Sequence, residues 1–363
     1  MEHYYAMILA GGGGTRMWPL SRKTMPKQLL ALTGDQSMLR ISVERLSPLF
    51  PPENVYVVTG RQLEDAIRAE LPEIPAQNII IEPYGRDNAA ATGLGLSVIH
   101  KRDRQATVAI LTADHHIAKR EKFREVLRHA YRMAQNDRVI TLGISPTYPA
   151  TSFGYIQQGR KIAGMDEFTV YESLGFKEKP NAVTATKFLA SGNFTWNSGM
   201  FIWKTTKAMA EFQRQQPVMY GLLEQLGEAI DTPAYDAVLA EVWEKMPKIS
   251  IDYAIMEGAE NLAVIPVDIG WSDVGSWSSL FEVLPLDQYG NSFKGIKGGN
   301  PDPIILDTRD TLVLSDRLTV TIGVEDLIII DSDDALLICH KDRAQDVREV
   351  VNHLRASGQD NYL

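Results

Sequence analysis

The chain has 363 residues, 44% of them hydrophobic, and a formal net charge of −9, so its bulk charge excludes nucleic acid and anionic membrane as expected partners. A single cysteine, Cys339, excludes an internal disulfide and suits a reducing compartment. The opening residues MEHYYAMILAGGGG hold too short an apolar run for a signal peptide or a membrane span, which makes a cytoplasmic address the expectation.

Along the chain, short apolar runs alternate with longer amphipathic ones: AMILAG, MLRISVERLSPLF, VYVVTG, QLEDAIRAEL, NIIIEP, AAATGLGLSVIH, TVAILTAD, KFREVLRHAYRMAQ and RVITLG. This order predicts an α/β fold built on an open, Rossmann-like and mostly parallel sheet. Ligands of such sheets lie beyond the carboxyl ends of the strands, here the loops after Leu9, Ile81 and Leu111. From about Tyr289 the texture changes to a Gly/Pro-rich connector, then short β runs with acidic turns at Asp307, Asp316, Asp326 and Asp333, then a polar helical end. The recurrence of roughly nine residues predicts a small β-solenoid, with an antiparallel sandwich as the alternative. The expected division is therefore 1–288 for the α/β domain and 289–363 for the solenoid and its terminal helix.

The first of the three loops, in ILAGGGGTRMWPLSRKTMPKQLL, places four glycines and then Arg16, Arg22, Lys23 and Lys27 behind the first strand. Amides without a neighbouring Cβ approach an anion closely, and four cations beside them in an acidic chain describe a polyphosphate site. The spacing matches neither a P-loop nor a dinucleotide fingerprint.

That loop, as GGGGTRMWPLSRKTMPKQ, resembles the signature of the nucleotide-sugar pyrophosphorylases, and among them the mannose-1-phosphate guanylyltransferases. The resemblance continues through EPYGRDNAAA, LTADHHI, FGYIQQG, FKEKP, WNSGMF, SIDYAIME and VDIGWSDVGSW, nearly the whole chain. It departs at Arg86-Asp87-Asn88, where the family commonly has Arg-Asn-Thr, and at Thr151-Ser152-Phe153-Gly154-Tyr155, where it has Thr-Gly-Tyr-Gly-Tyr.

The resemblance implies a C-terminal left-handed β-helix, a homodimer that pairs through this part, and the reaction of GTP with mannose 1-phosphate to give GDP-mannose and pyrophosphate by metal-assisted in-line attack at the α-phosphorus. The nucleophile is already an anion, so the protein has only to align two anions and neutralise the leaving group. Asp114 and Asp273 match the family's Mg²⁺ ligands. Unaided, Asp114 reads as a turn former and Asp273 as a helix cap, with Asp268 a rival, and His115 and His116 lack zinc spacing. Arg16 and Lys27 fall to the departing phosphates. Leu9, Ala10, Gly11, Gly12, Gly13, Gly14, Thr15, Glu82, Arg86 and Asn88 fall to the nucleotide, with Glu82 accepting from guanine N1–H and N2–H₂ together. Gly154, Glu178, Lys179 and Asn197 fall to the sugar phosphate. Asp252 and Glu257 read as solvated helix carboxylates without a role.

Two alternatives accompany this reading: a pyrophosphorylase for another nucleotide and sugar, and a non-catalytic paralogue. Retention of Arg16, Lys27, Asp114, Lys179 and Asp273 weighs against the second. Some family members carry a phosphomannose isomerase domain beyond the solenoid; with Leu363 as its last residue, this chain is expected to have one activity.

Overall fold

A computed structural model describes residues 1–12, 14–165, 167–297 and 302–363; Gly13, expected in the phosphate loop, lies outside them. In chain order the strands are β1 (Tyr4–Leu9), β2 (Val55–Gly60), β3 (Ile79–Glu82), β4 (Thr107–Thr112), β5 (His116–Ile117), β6 (Val139–Ile144), β7 (Tyr155–Met165), β8 (Phe168–Lys177), β9 (Phe194–Lys204), β10 (Leu262–Pro266), β11 (Trp271–Ser272), β12 (Ser292–Lys294), β13 (Ile304–Leu306), β14 (Leu312–Leu314), β15 (Val320–Ile322), β16 (Leu327–Asp331) and β17 (Leu336–His340). The helices are α1 (Met38–Glu44), α2 (Glu64–Glu70), α3 (Asp87–Arg102), α4 (Arg120–Ala134), α5 (Ala182–Ser191), α6 (Thr205–Gln215), α7 (Pro217–Ala229), α8 (Tyr235–Lys245), α9 (Ile251–Ala254) and α10 (Val347–Ala356).

These elements form two compact units that interleave along the chain. The first holds Met1–Gly11, Arg45–Thr112 and Ala118–Ile269, the second Gly12–Glu44, Ala113–Ile117 and Gly270–Leu363. The signature loop and the turn after β4, expected with the residues before 289, are thus built together with the C-terminal stretch.

In the first unit nine strands form one sheet in the order β3-β2-β1-β4-β9-β6-β10-β8-β7. The half read from the apolar runs, β3-β2-β1-β4, is parallel. The other half is tied in by antiparallel pairs of β9 with β4 and β6 and by the β7–β8 hairpin. Strands β2 and β4 are buried almost end to end, which is why they read as continuous apolar runs rather than alternating ones. Helix α3 is buried over Ala89–Ile99, and its small residues have a steric cause. A Cβ on Gly93 would lie 2.7 Å from Leu223 of α7, and one on Gly95 would strike Met7 of β1, so α3 fits between sheet and helix only without side chains there.

In the second unit β12, β14 and β16 stack in parallel, β13 and β15 pair in parallel beside them, and β17 closes the stack antiparallel to β16. Leu312 pairs with Ile328 and Ile304 with Val320, in both cases sixteen residues on. The nine-residue recurrence in the sequence is therefore the step from one face to the other, and a full coil takes two steps. Two of the acidic turns, Asp307 and Asp326, sit at φ of 45° and 59°, a left-handed conformation that aspartate tolerates better than most residues.

The core of this unit joins Met17, Trp18 and Leu30 of the signature loop to Trp277, Leu312 and Ile328. Trp277 Nε1 donates to Trp18 O, and Trp18 Nε1 donates to Tyr362 O, each at 2.8 Å. Lys294 Nζ, on β12, donates to the carbonyls of Ala31 and Gly34. The solenoid is the floor on which the signature loop is built. Its β13–β15 face carries Ile304, Leu306, Val320 and Ile322, all about half exposed. Among the described residues no helix is long and apolar enough to cross a membrane.

Candidate active site

In the second unit the chain enters the signature loop at Gly12 and tightens at Gly14, whose φ is 51°. A Cβ on Gly14 would lie 2.6 Å from Lys27 Cβ and 2.9 Å from Lys27 N; glycine lets the loop close on Lys27. The Lys27 side chain is buried, and its ammonium donates to Asp114 Oδ2 at 2.9 Å and to Asp273 O at 2.6 Å. Burial alone would raise the Asp114 carboxyl, but the charges of Lys27 and His115 outweigh it and hold the group below its ordinary value.

Asp273 lies in a tight, strained turn. Its Oδ1 accepts from Gly275 N at 3.2 Å, a Cβ on Gly275 would come within 2.6 Å of Oδ2, and the buried Val274 between them has a φ of 45°, a conformation costly for a β-branched residue. The helix-cap reading fails here, because Ser276 and Ser279 form the capping box of the following turn. Asp268 ion-pairs with Lys119 at the surface of the first unit, and His115 Nδ1 faces Trp271 Nε1 at 3.1 Å. Among the described residues no group of three or more His, Cys, Asp or Glu is placed to hold a metal. Two carboxylates with a glycine-made gap at Asp273 fit a hard divalent cation whose other ligands are phosphate oxygens and water.

Of the four cations assigned to polyphosphate, the loop presents fewer. Arg16 and Thr15 are exposed, and Arg16 pairs with no protein group among the described residues. Arg22 instead bonds Tyr362 O and pairs with Asp334 at 2.6 Å, and Lys23 lies 3.7 Å from Asp360. These two hold the loop to the solenoid, a use that spacing alone does not distinguish from phosphate binding.

In the first unit β1 ends at Leu9, after which Ala10 N donates to Val58 O at 2.8 Å and Gly11 faces the end of β3. A Cβ on Gly11 would be 3.5 Å from Glu82 Oε1. Glu82, 6% exposed, has its other oxygen buried with no hydrogen-bond partner among the described residues, and burial pushes the carboxyl up to about 7. A buried, unmatched acceptor beside bare backbone is a place for a ligand donor. Arg86 and Asn88 are more committed. The Arg86 guanidinium reaches Glu244 O at 2.9 Å and lies over the Tyr84 ring, and Asn88 Oδ1 accepts from Ile251 N at 2.7 Å. Both tie the start of α3 to the α8–α9 region. Asp87, with φ of 66°, takes the left-handed position that the family's asparagine would also suit.

The four expected sugar-phosphate residues come together in the same unit. Asn197 N, on β9, donates to Gly154 O at 2.8 Å, and a Cβ on Gly154 would strike Glu178 Oε2. Glu178 is buried, with Oε1 at 2.5 Å from Lys179 Nζ and Oε2 without a partner among the described residues. Lys179 holds a φ of 43° directly before Pro180, a strained conformation of the kind found at binding sites. Two residues without a role in the sequence reading belong here. Asp252 Oδ1 accepts from Asn197 Nδ2 at 2.8 Å, and Glu257 Oε1 accepts from Glu178 N at 3.1 Å. Amphipathic-helix reasoning misplaces Asp252 because α9 has only four residues, too few to present a solvated face, whereas Glu257, in the turn after it, is exposed as expected and still reaches Glu178 N. The available signal is the apolar setting of SIDYAIME.

Residues 5–289 match the Nucleotidyl transferase family and 302–354 the MannoseP isomerase/GMP-like beta-helix domain. A mannose-1-phosphate guanylyltransferase of Escherichia coli K12 is 36% identical over 98% of this chain and 74% of its own length. The guanylyltransferase RfbM of Salmonella typhimurium LT2 is 37% identical over 99% and 74%. A crystal structure from Thermus thermophilus, named as a mannose-1-phosphate geranyltransferase, superposes with a TM-score of 0.87 at 34% identity over 97% of this chain and 99% of that one. The chain belongs to the mannose-1-phosphate guanylyltransferase family of nucleotidyl transferases.

Glu82 gives a pH-dependent signature. Folding raises its carboxyl from 4.5 to about 7, so between these values the native state binds more protons than the unfolded chain and stability falls as pH rises. Glu82→Gln, which cannot ionise, should gain on the wild type by on the order of 2–3 kcal/mol between pH 4.5 and 7.5. Urea midpoints of both proteins across that range test it; a gap that does not change with pH would show Glu82 titrating as in the unfolded chain.

Proposed function

We propose that the chain transfers a guanylyl group from GTP to α-D-mannose 1-phosphate, releasing pyrophosphate and GDP-mannose, in the cytoplasm, with Mg²⁺ as its metal. Residues 1–288 carry the chemistry and 289–363 support it. The observation that carries this reading is a match to guanylyltransferases over 98% of the chain in which Lys27, Asp114 and Asp273 are held by one another.

A phosphate oxygen of mannose 1-phosphate forms a bond to the α-phosphorus as the bond from that phosphorus to the bridging oxygen breaks, and pyrophosphate leaves with the electron pair. No proton has to be moved first, so positioning and charge neutralisation do the work. Asp114 and Asp273 would hold Mg²⁺, which supplies charge neutralisation on the phosphates. Lys27 uses two of its three N–H donors on Asp114 and Asp273, leaving one for the leaving group, and Arg16 is free to join it. Gly11, Gly12 and Gly14 offer amides. Lys179 meets the sugar phosphate, Glu178 accepts from sugar hydroxyls, and Glu82 accepts from guanine. The exposed apolar face of β13 and β15 supports pairing with a second copy.

The direct test is pyrophosphate release over a matrix of nucleoside triphosphates and hexose 1-phosphates, in which GTP with mannose 1-phosphate should be fastest; a faster pair would replace this assignment. Asp114→Asn and Asp273→Asn should each lower turnover by at least about a hundredfold with the fold intact, and near-normal turnover at limiting Mg²⁺ would remove that residue from the site. Glu82→Gln sets an amide donor against a base donor, so GTP efficiency should fall by roughly 1–3 kcal/mol, and ITP, which lacks N2–H₂, should lose less. Equal losses would place base reading elsewhere. By light scattering the wild type should be a dimer and a Leu306→Asp, Ile322→Asp variant a monomer; an unchanged state would exonerate that face.

A further inference from the structure

Glu178 and Asn197 meet over the bare backbone of Gly154, Lys179 is bonded to the first and Asp252 to the second, and the hydrogen-bonding capacity of the four is only partly used within the protein. Asn197 donates through Nδ2 to Asp252 and accepts at Oδ1 from Gly199 N at 3.0 Å. Its orientation is fixed, with one N–H to spare, so it has less to offer a pair of hydroxyls than its side chain suggests. Glu178, 6% exposed, keeps Oε2 buried toward Gly154 and, among the described residues, unpartnered. An acceptor left in that state costs stability unless a ligand supplies the donor.

We propose that Asp252 is a specificity-determining residue of the hexose 1-phosphate subsite, its carboxyl reading a ring hydroxyl other than the one that Glu178 takes. This rests on the sugar-phosphate reading given above. Its partner is the neutral, hydroxyl-bearing part of the sugar, because the phosphate falls to Lys179 and a carboxylate does not accept from it. Burial first, and then the charge of Glu178, push the Asp252 carboxyl up to about 6, while Lys179 and Asn197 act in the opposite direction. A carboxylate so placed gains from hydroxyl donors that replace lost water. Its backbone is also fixed. Ile251 N donates to Asn88, the Ala254 carbonyl accepts from Gln216 Nε2 at 3.2 Å, and Ser250 caps the turn. A carboxylate serving only as surface charge needs no such anchoring.

The experiment is calorimetric titration of GDP-mannose and of GDP into the full-length wild type and Asp252→Asn. The two ligands share the guanosine and diphosphate, so the ratio of their dissociation constants isolates the hexose. The wild type should bind GDP-mannose more tightly than GDP. Asp252→Asn should lose at least about tenfold for GDP-mannose and less than about twofold for GDP, and Asp252→Glu should recover part of the loss. If Asp252→Asn does not fold, Asp252→Ser gives the same readout. An unchanged ratio, or equal losses for both ligands, overturns the assignment of Asp252 while leaving the proposed function in place. A wild type with no preference for GDP-mannose over GDP overturns both.

Discussion

A buried ammonium must be compensated, and Lys27 is compensated by two points of the chain far from it in sequence, the Asp114 carboxylate and the Asp273 carbonyl. Charge-assisted hydrogen bonds in a partly dry setting are strong only while the geometry holds. Much of the second unit can be read as the apparatus that holds it. Gly14 admits the lysine, Val274 is forced into a left-handed turn behind Asp273, and Trp277 and Trp18 hydrogen-bond in series down to Tyr362.

The first unit follows the opposite logic. Where the second gathers cations, this one holds carboxylates whose partners are few: among the described residues one oxygen each of Glu82 and Glu178 is buried and unmatched. A base with adjacent N–H donors and a sugar with hydroxyl donors are the complements of such groups. Destabilisation in the empty protein then becomes selectivity when the right donor arrives, because a ligand lacking it leaves the oxygen unpaired.

The parallel strands are legible in the sequence because β1, β2, β3 and β4 are apolar along most of their length, and the glycine loop because four cations follow a run of four glycines with no acidic residue among them. Arg22 and Lys23 are misread for the same reason: composition counts a charge but not its partner, and theirs are more than 300 residues away, at Asp334, Tyr362 and Asp360. Asp252 and Glu257 escape because periodicity is informative only over several turns, and α9 and the 3-10 turn after it have one each. The coil length of the solenoid comes out halved because each of its two faces produces its own apolar run.

The sixteen-residue coil has a consequence for how such a chain can change length. A stack of parallel rungs accepts or loses whole coils without altering the contacts of its neighbours, so β12, whose Lys294 supports the signature loop, can keep its place while the stack beyond it grows or shrinks. Because β17 runs antiparallel to β16, it seals that edge against another rung. Growth must therefore occur by insertion ahead of the hairpin, and an indel of one residue within a strand would turn inward-facing residues such as Ile328 toward solvent, whereas the turns absorb extra residues, as between Ser292 and Leu312, which pair in register twenty residues apart.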